Sequence, residues 1–388
     1  MRRVLIVGAG IAGLTLACAL REGSWQVDIV DQASGEGDLG VGIVIHPNGM
    51  QVLEILGLAG RVAALGNAVH TLAIVRGDQT RSIDLSEVWP GSHQPTLAIR
   101  RSLLHDVLVS AAERSAPAPR IRHDTRLVGL SLEEPLRPVA SLDGGETQAY
   151  DLVVGADGVH STVRRLLDPT ARAVSTRLTF TRWIAPVDGL DEHTWRTTER
   201  REGSYGSIPL GGGRAHCFVQ TRAPEEAGAG PPGFDLEQLR SWDPGLAVAY
   251  EKADQMHSGT AHLVRPVTWG AGACVLLGDA AHAVSPTLTQ GGSLAAEDAL
   301  VLGHVLDRAD PEVDVARLLQ SFRLARAARV QWASRMSLAQ LNRLARDTAP
   351  SWSIDASAAT RHLEQVYAPM SAPPLADLGD LPDQIRQV

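Results

Sequence analysis

Arg3-Val4-Leu5-Ile6-Val7-Gly8-Ala9-Gly10-Ile11-Ala12-Gly13 decides the fold, because a β-branched apolar run passes straight into a glycine-rich turn and then into helical spacing. Residues 3–7 are continuously apolar after the arginine, as a parallel strand buried on both faces must be. Ile11, Leu14, Leu16 and Ala19 supply an apolar face at helical spacing, and Val27, Ile29 and Val30 form a second strand ending at Asp31. A βαβ unit therefore opens the chain. Gly8 allows the tight turn, Gly10 lets the backbone approach a pyrophosphate and Gly13 allows close helix packing. The helix start at Ile11, Ala12 and Gly13 offers bare N–H groups to the anion. Asp31 stands where a carboxylate accepts both ribose hydroxyls, so the unit predicts a dinucleotide. NAD and FAD use the same device, and the unit alone does not choose between them.

The same amino terminus, Met1-Arg2-Arg3 followed by apolar residues 4–19, also has the layout of a secretory signal. Gly8, Gly10 and Gly13 inside the run, and its continuation through Glu22-Gly23-Ser24 into a second strand, favour the buried βαβ unit. No other apolar stretch reaches the roughly 20 residues of a bilayer span, so no membrane segment is expected. At 388 residues the chain is long enough for two or three lobes. Acidic residues outnumber basic ones 44 to 36 with no basic run, which argues against a nucleic-acid partner. An apolar fraction of 44% and 37 scattered glycines exclude disordered and collagen-like classes. Cys18, Cys217 and Cys274 are too few and too far apart for a disulfide framework or a zinc ribbon, and a cytoplasmic home is expected. The 13 histidines form no His-Glu-x-x-His cluster, so no metal is expected.

Further strands are predicted at 139–142, 150–154, 178–187, 204–210, 214–221, 261–267 and 273–277, those from 178 to 267 alternating as in a separate antiparallel sheet. Residues 223–234, rich in proline, glycine and acid, read as a surface loop. Helical periodicity dominates from Ser293 to about Arg346, with Arg323, Arg326 and Arg329 at intervals of three. The proline-bearing end, from Pro369 to Pro382, reads as a loose tail.

Two more segments follow an apolar strand and lead into a helix: Gly155-Ala156-Asp157-Gly158-Val159-His160-Ser161-Thr162-Val163-Arg164 and Gly278-Asp279-Ala280-Ala281-His282-Ala283-Val284-Ser285-Pro286. With the first motif, in this order and at about this spacing, they resemble the flavin-dependent aromatic hydroxylases, single-component monooxygenases of the para-hydroxybenzoate hydroxylase type. The resemblance extends over most of residues 1 to about 340. It implies an α/β fold: a discontinuous Rossmann-like FAD-binding domain from residues 1–75, 97–172 and 268–340, a mostly antiparallel substrate sheet from 76–96 and 173–267, and C-terminal helices and tail over 341–388. A monomer or homodimer is expected.

Each segment also has its own chemistry. Asp279, at a strand's carboxyl end, can receive a hydroxyl of the ribityl chain or ribose, and can equally cap the helix that follows. Gln290-Gly291-Gly292 starts the next helix, where free N–H groups stabilise negative charge on a reduced flavin ring. By resemblance Pro286 lines that ring, and Gly291 and Gly292 border its pyrimidine end. Asp157 and Gly158 resemble residues near the flavin pyrophosphate; the alternative is a turn capped by Asp157 and permitted by Gly158. Arg101 matches a flavin-reaching arginine, with Arg100 as its competitor. Residues 42–48 match a loop running along the flavin, which makes His46 a pocket candidate.

Two positions depart from the family pattern: Thr289 stands where glycine is usual and Ser293 where asparagine is usual. A β-branched residue resists φ > 0, so an altered loop at the oxygen-reactive face is expected. Thr287, where urate-hydroxylating relatives carry aspartate, disfavours urate.

The resemblance implies that NADH or NADPH reduces FAD, that O2 forms a flavin C4a-hydroperoxide, and that one oxygen passes to an aromatic or polyketide-like small molecule. A base near neutral pH is required, for which His46 and His216 are the candidates. Trp183, Tyr205 and Phe218 suit either a pocket wall or a core. The alternatives are a flavoprotein that uses FAD structurally in a non-redox cyclisation, and a flavin oxidase or dehydrogenase. A hydride-only NAD dehydrogenase leaves the Asp157 and Asp279 segments without purpose.

Overall fold

The computed structural model describes residues 1–20, 25–35, 41–89, 91–222, 235–265, 269–308, 312–345, 361, 363–367, 370 and 374–375. The opening strand Arg2–Val7 lies at the centre of a five-stranded parallel sheet in the order Cys274–Leu276, Leu152–Gly155, Arg2–Val7, Trp25–Val30, Arg120–Arg122. The chain moves from the central strand to one neighbour through the helix Ile11–Ala19, and returns only much later to the other. This makes the carboxyl end of Arg2–Val7 a topological switch point, where open α/β sheets bind ligands. Both faces of the strand are apolar and fully buried from Val4 to Ile6. The helices Ile11–Ala19 and Gly291–Asp307 pack so closely that a Cβ on Gly303 would lie 2.5 Å from the Ala19 methyl.

A seven-stranded sheet forms the second layer, ordered Gln255–Leu263, Val174–Pro186, Arg214–Arg222, Gly203–Gly211, Thr194–Glu199, Thr71–Arg76, Gln79–Asp84. All its pairings are antiparallel except Thr194–Glu199 with Thr71–Arg76. The sheet thus takes in Thr71–Arg76, all of which except Arg76 lies within the 1–75 expected for the nucleotide lobe. Its strand Gln255–Leu263 begins well before the expected 261. That strand lies at the sheet edge with Met256, His257 and Ser258 exposed, so it lacks the apolar alternation that marks an interior strand.

One face of this sheet is covered by the helices Leu236–Trp242 and Pro244–Glu251, and there Trp183, Tyr205, Ala215 and Cys217 join Leu239 and Leu246 in a core. Trp183 and Tyr205 are therefore core residues. The opposite face presents Arg182, Ile184, His216 and Phe218, because side chains alternate along a strand and Arg182 pairs with Phe218, Ile184 with His216. Phe218 packs there on Val44 and Ala98 of the nucleotide lobe. Residues 223–234 lie outside the described residues.

The carboxyl-terminal end is not loose where it is described. Val366, Tyr367 and Met370 are buried against Trp89, Leu288 and Leu294. Trp332 donates its indole N–H to the Val366 carbonyl at 3.0 Å. These anchors are isolated residues without periodicity, so neither helix nor strand patterning reveals them. Among the described residues no helix is long and apolar enough to cross a membrane, no group of side chains is arranged to hold a metal ion, and the three cysteines are buried and form no disulfide.

Candidate active site

Four adjacent parallel strands end on the same side, and each delivers one of the sequence motifs: Val7 leads to Gly8, Val30 to Asp31, Gly155 to Asp157, and Leu276 to Gly278 and Asp279. Segments as distant as residues 8 and 279 are thus gathered along one edge of the sheet.

Gly8 sits at φ +108°, and a Cβ there would stand 2.4 Å from the Ala156 carbonyl oxygen; a Cβ on Gly13 would meet the Gly8 carbonyl at 2.0 Å. Gly10 differs, because nothing lies within 4 Å of its Cβ position. It begins the helix Ile11–Ala19 with no side-chain cap, so the first-turn N–H groups face open space. Such a cradle suits a pyrophosphate. Asp31 ties the loop together by accepting from Ala9 N at 2.6 Å and Ala33 N at 2.8 Å. Each of its oxygens keeps lone-pair capacity for a ribose hydroxyl.

Asp279 is exposed to solvent at the cleft, with protein on its other sides. Burial raises its pKa, while the charges of His282 and Arg101 oppose the rise. No side-chain hydrogen bond engages it among the described residues, and the Cβ position of Gly291 is 3.7 Å from its Oδ1. A solvent-facing, unpaired carboxylate beside a bare glycine is the arrangement a ribityl or ribose hydroxyl needs, and with the Gly10 cradle it fits FAD. Gly278, at φ +53°, donates its N–H to Asp298 at 2.9 Å, which fixes the turn that presents Asp279.

Asp157 takes the other role open to it. It accepts from Ser161 Oγ at 2.5 Å, Thr162 N at 2.6 Å and Val163 N at 3.1 Å, closing the turn into the helix Thr162–Leu167. Burial raises its pKa against these bonds. Gly158 supplies φ +75° in open space. Arg164, buried, donates to the carbonyls of Ala280 and Val159, linking this turn to that of Asp279.

Across the cleft, the short turn Pro286–Leu288 is followed by Thr289 at φ 51°, ψ 25°, by Gln290 and by the helix Gly291–Asp307. Although a β-branched residue resists φ > 0, Thr289 occupies the left-handed region. Such a conformation costs roughly 1–3 kcal/mol. Gly292 faces Ile43, whose Cδ1 would lie 2.9 Å from a Cβ on that glycine. Gln290 Oε1 accepts from Asn48 Nδ2 at 3.1 Å, and the same amide group bonds Glu297 at 2.9 Å.

The two candidate bases are both held neutral. His216 Nδ1 accepts from Gly42 N at 3.2 Å, which leaves the proton on Nε2. Burial, with the Arg182 charge, lowers its pKa to about 3. His46 is fully buried, with Nε2 2.6 Å from Thr289 Oγ1 and its ring against Trp89 and Tyr367. Burial lowers its pKa to about 4, against the raising effect of the Leu288 carbonyl.

Sequence reasoning missed Arg182. It is half-buried, lies 4.2 Å over the Phe180 ring and has no acidic partner among the described residues. Desolvation, and then the like charge of Arg101, lower its pKa to about 10. Arg101 also acts on Asp279, so the three line one cleft. An arginine between Phe180 and Ile184 on an inward-facing stripe was the available signal.

A family model described as an FAD binding domain matches residues 1–337. The aurachin C monooxygenase/isomerase of Stigmatella aurantiaca is 33% identical over 344 residues, covering 84% of this chain and 85% of that protein. The 3-amino-4-hydroxybenzoate 2-monooxygenase of Streptomyces platensis is 30% identical over 352 residues, covering 86% and 87%. Among solved structures, a mutant form of 2-methyl-3-hydroxypyridine-5-carboxylic acid oxygenase superposes with a TM-score of 0.78 at 25% identity, covering 94% of this chain and 98% of that one.

Proposed function

We propose, from the premise that this chain belongs to the FAD binding domain family of flavin-dependent aromatic hydroxylases and is a flavin monooxygenase, that it hydroxylates an electron-rich aromatic small molecule bearing an acidic group. One oxygen of O2 enters the ring and the other leaves as water; NADH or NADPH supplies the two electrons. FAD, when bound, provides the reductive activation of O2. It would be held by the Gly8–Gly13 cradle, Asp31, Arg101 and Asp279, with Pro286, Gln290, Gly291 and Gly292 along the ring.

The observation that carries the reading is the face opposite that cradle. Arg182 and His216 lie on the inward side of the seven-stranded sheet, beside Phe218. A half-buried guanidinium with no carboxylate beside it among the described residues has lost part of its hydration, and an ionised substrate group makes that good. His216, with its proton on Nε2, orients a substrate oxygen as a donor. Its low pKa makes it a poor proton acceptor at neutral pH, so the substrate reaches its reactive anion through the positive field of Arg182 and Arg101. That Thr289 reaches the left-handed region supports this reading over a non-redox one.

The test is NADH or NADPH oxidation by the purified yellow protein with acidic phenols and their neutral analogues, with products weighed by mass spectrometry. Stimulation accompanied by a gain of one oxygen supports the reading. Absence of flavin reduction with every ligand overturns it. Arg182→Gln should raise KM for the acidic substrate at least about tenfold, as loss of one charge-assisted contact does. KM for the neutral analogue should change little.

A further inference from the structure

Thr289 is a β-branched residue in the left-handed region, directly before the helix whose amino end borders the cofactor cleft. Such a residue stays there only when its surroundings over-determine it. Its hydroxyl donates to the Leu288 carbonyl at 2.8 Å, which leaves Oγ1 as an acceptor. The 2.6 Å contact with His46 therefore runs from Nε2–H to Oγ1, and His46 carries its proton on Nε2. Nδ1 is buried with no hydrogen-bond partner, so the ring's polar contacts fall on Nε2 and both lie in this turn, Thr289 Oγ1 and the Leu288 carbonyl.

The imidazole is itself fixed. Its centroid lies 5.4 Å from that of Trp89 and 5.3 Å from that of Tyr367, and those two rings stack at 4.9 Å. Tyr367 also donates its hydroxyl to the Leu288 carbonyl at 3.2 Å. The backbone N–H of His46 points to Ser293 Oγ at 3.4 Å, one helical turn beyond Thr289. Three chain segments, around residues 46, 89 and 367, thus converge on one turn.

From this geometry we infer that His46 is a positioning residue: its Nε2–H holds Thr289 in the left-handed conformation and thereby sets how the turn from Pro286 to Gly292 meets bound FAD. The inference rests on FAD binding but not on the monooxygenase chemistry. A failure of that chemistry would appear as absent product with normal FAD affinity, whereas a failure here appears in affinity.

The test uses full-length apoprotein titrated with FAD, read by flavin fluorescence, together with the apoprotein melting temperature. Thr289→Val keeps the strained backbone and loses the acceptor; His46→Leu loses the donor and keeps ring-face packing. Each should weaken FAD binding by about tenfold, the size of one buried hydrogen bond. The double variant should lose little more than either single. Thr289→Gly needs no bond to reach φ > 0, so it should bind FAD nearly as wild type does, and His46→Leu should then cost little in that background. His46→Gln, which still carries an N–H donor, should recover most of the loss. Additive effects of His46→Leu and Thr289→Val, an undiminished cost of His46→Leu in the Thr289→Gly background, or wild-type affinity in Thr289→Val would each overturn the inference. If His46→Leu does not fold, the titrations of Thr289→Val and His46→Gln still decide it.

Discussion

Gly8 and Gly10, two residues apart, meet different demands, and substitution separates them. At Gly8 an added methyl collides with the Ala156 carbonyl and opposes φ +108°, so Gly8→Ala should lower the apoprotein melting temperature as well as FAD affinity. At Gly10 the space is open, so Gly10→Ala should leave apoprotein stability within about 0.5 kcal/mol while obstructing the pyrophosphate. Calorimetry of the apoprotein beside an FAD titration distinguishes the two. His46 and His216 have folded pKa values of about 4 and about 3, below an unfolded value near 6.5. Stability from keeping them neutral is fully present above the unfolded value and is lost as pH falls from about 6.5 toward 4, because the unfolded chain then binds more protons. For His46 the loss reaches roughly 3 kcal/mol at the bottom of that window. His46→Gln should flatten the fall in melting temperature between pH 6.5 and 4; an unchanged slope would contradict this. At this scale the sequence was most informative about glycines, where backbone geometry restricts the choice. It was least informative about His46, whose meaning depends on a contact with a residue far along the chain.

The helix Gly291–Asp307 joins flavin loop to core through charge. Asp298 Oδ2 accepts from Gly278 N and from His282 Nε2, and its Oδ1 accepts from Arg326 Nε at 2.8 Å. Glu297 takes Arg326, Arg329 and Asn48. The Asp298 pKa falls to about 2, because the charges of His282 and Arg326 and its hydrogen bonds outweigh burial. Removing one member leaves an uncompensated buried charge, so Asp298→Asn should cost about 3–5 kcal/mol in denaturant unfolding, far more than a surface carboxylate. The arginines at intervals of three were visible in the sequence as one face of a helix. The burial of Arg326 and Arg329 was not, since an arginine stripe normally faces water. The interior strands were legible from apolar runs, and the edge strand Gln255–Leu263 was not, for lack of a second buried face.

The molecule as a whole closes its cleft with two lobes and a short carboxyl-terminal anchor. Tyr367 fills the space between Trp89, His46 and Leu288, so Tyr367→Ala should cost roughly 3–5 kcal/mol, as deletion of a buried aromatic ring does. It should also admit water to His46, and NMR titration should then find that histidine's pKa higher than in the wild type. Lobe identity was readable because a βαβ start and an alternating sheet obey different periodicities. The anchor was unreadable because single buried residues have none.

The gathering of residues 8, 31, 157 and 279 on four neighbouring strands also orders events in time. The strand Cys274–Leu276 must pair with Leu152–Gly155 before Asp279 faces the Gly10 cradle. The seat for the cofactor is therefore incomplete until residue 279 has been made and its strand has paired, and the cradle at residues 8–13 waits on the last strand of the sheet.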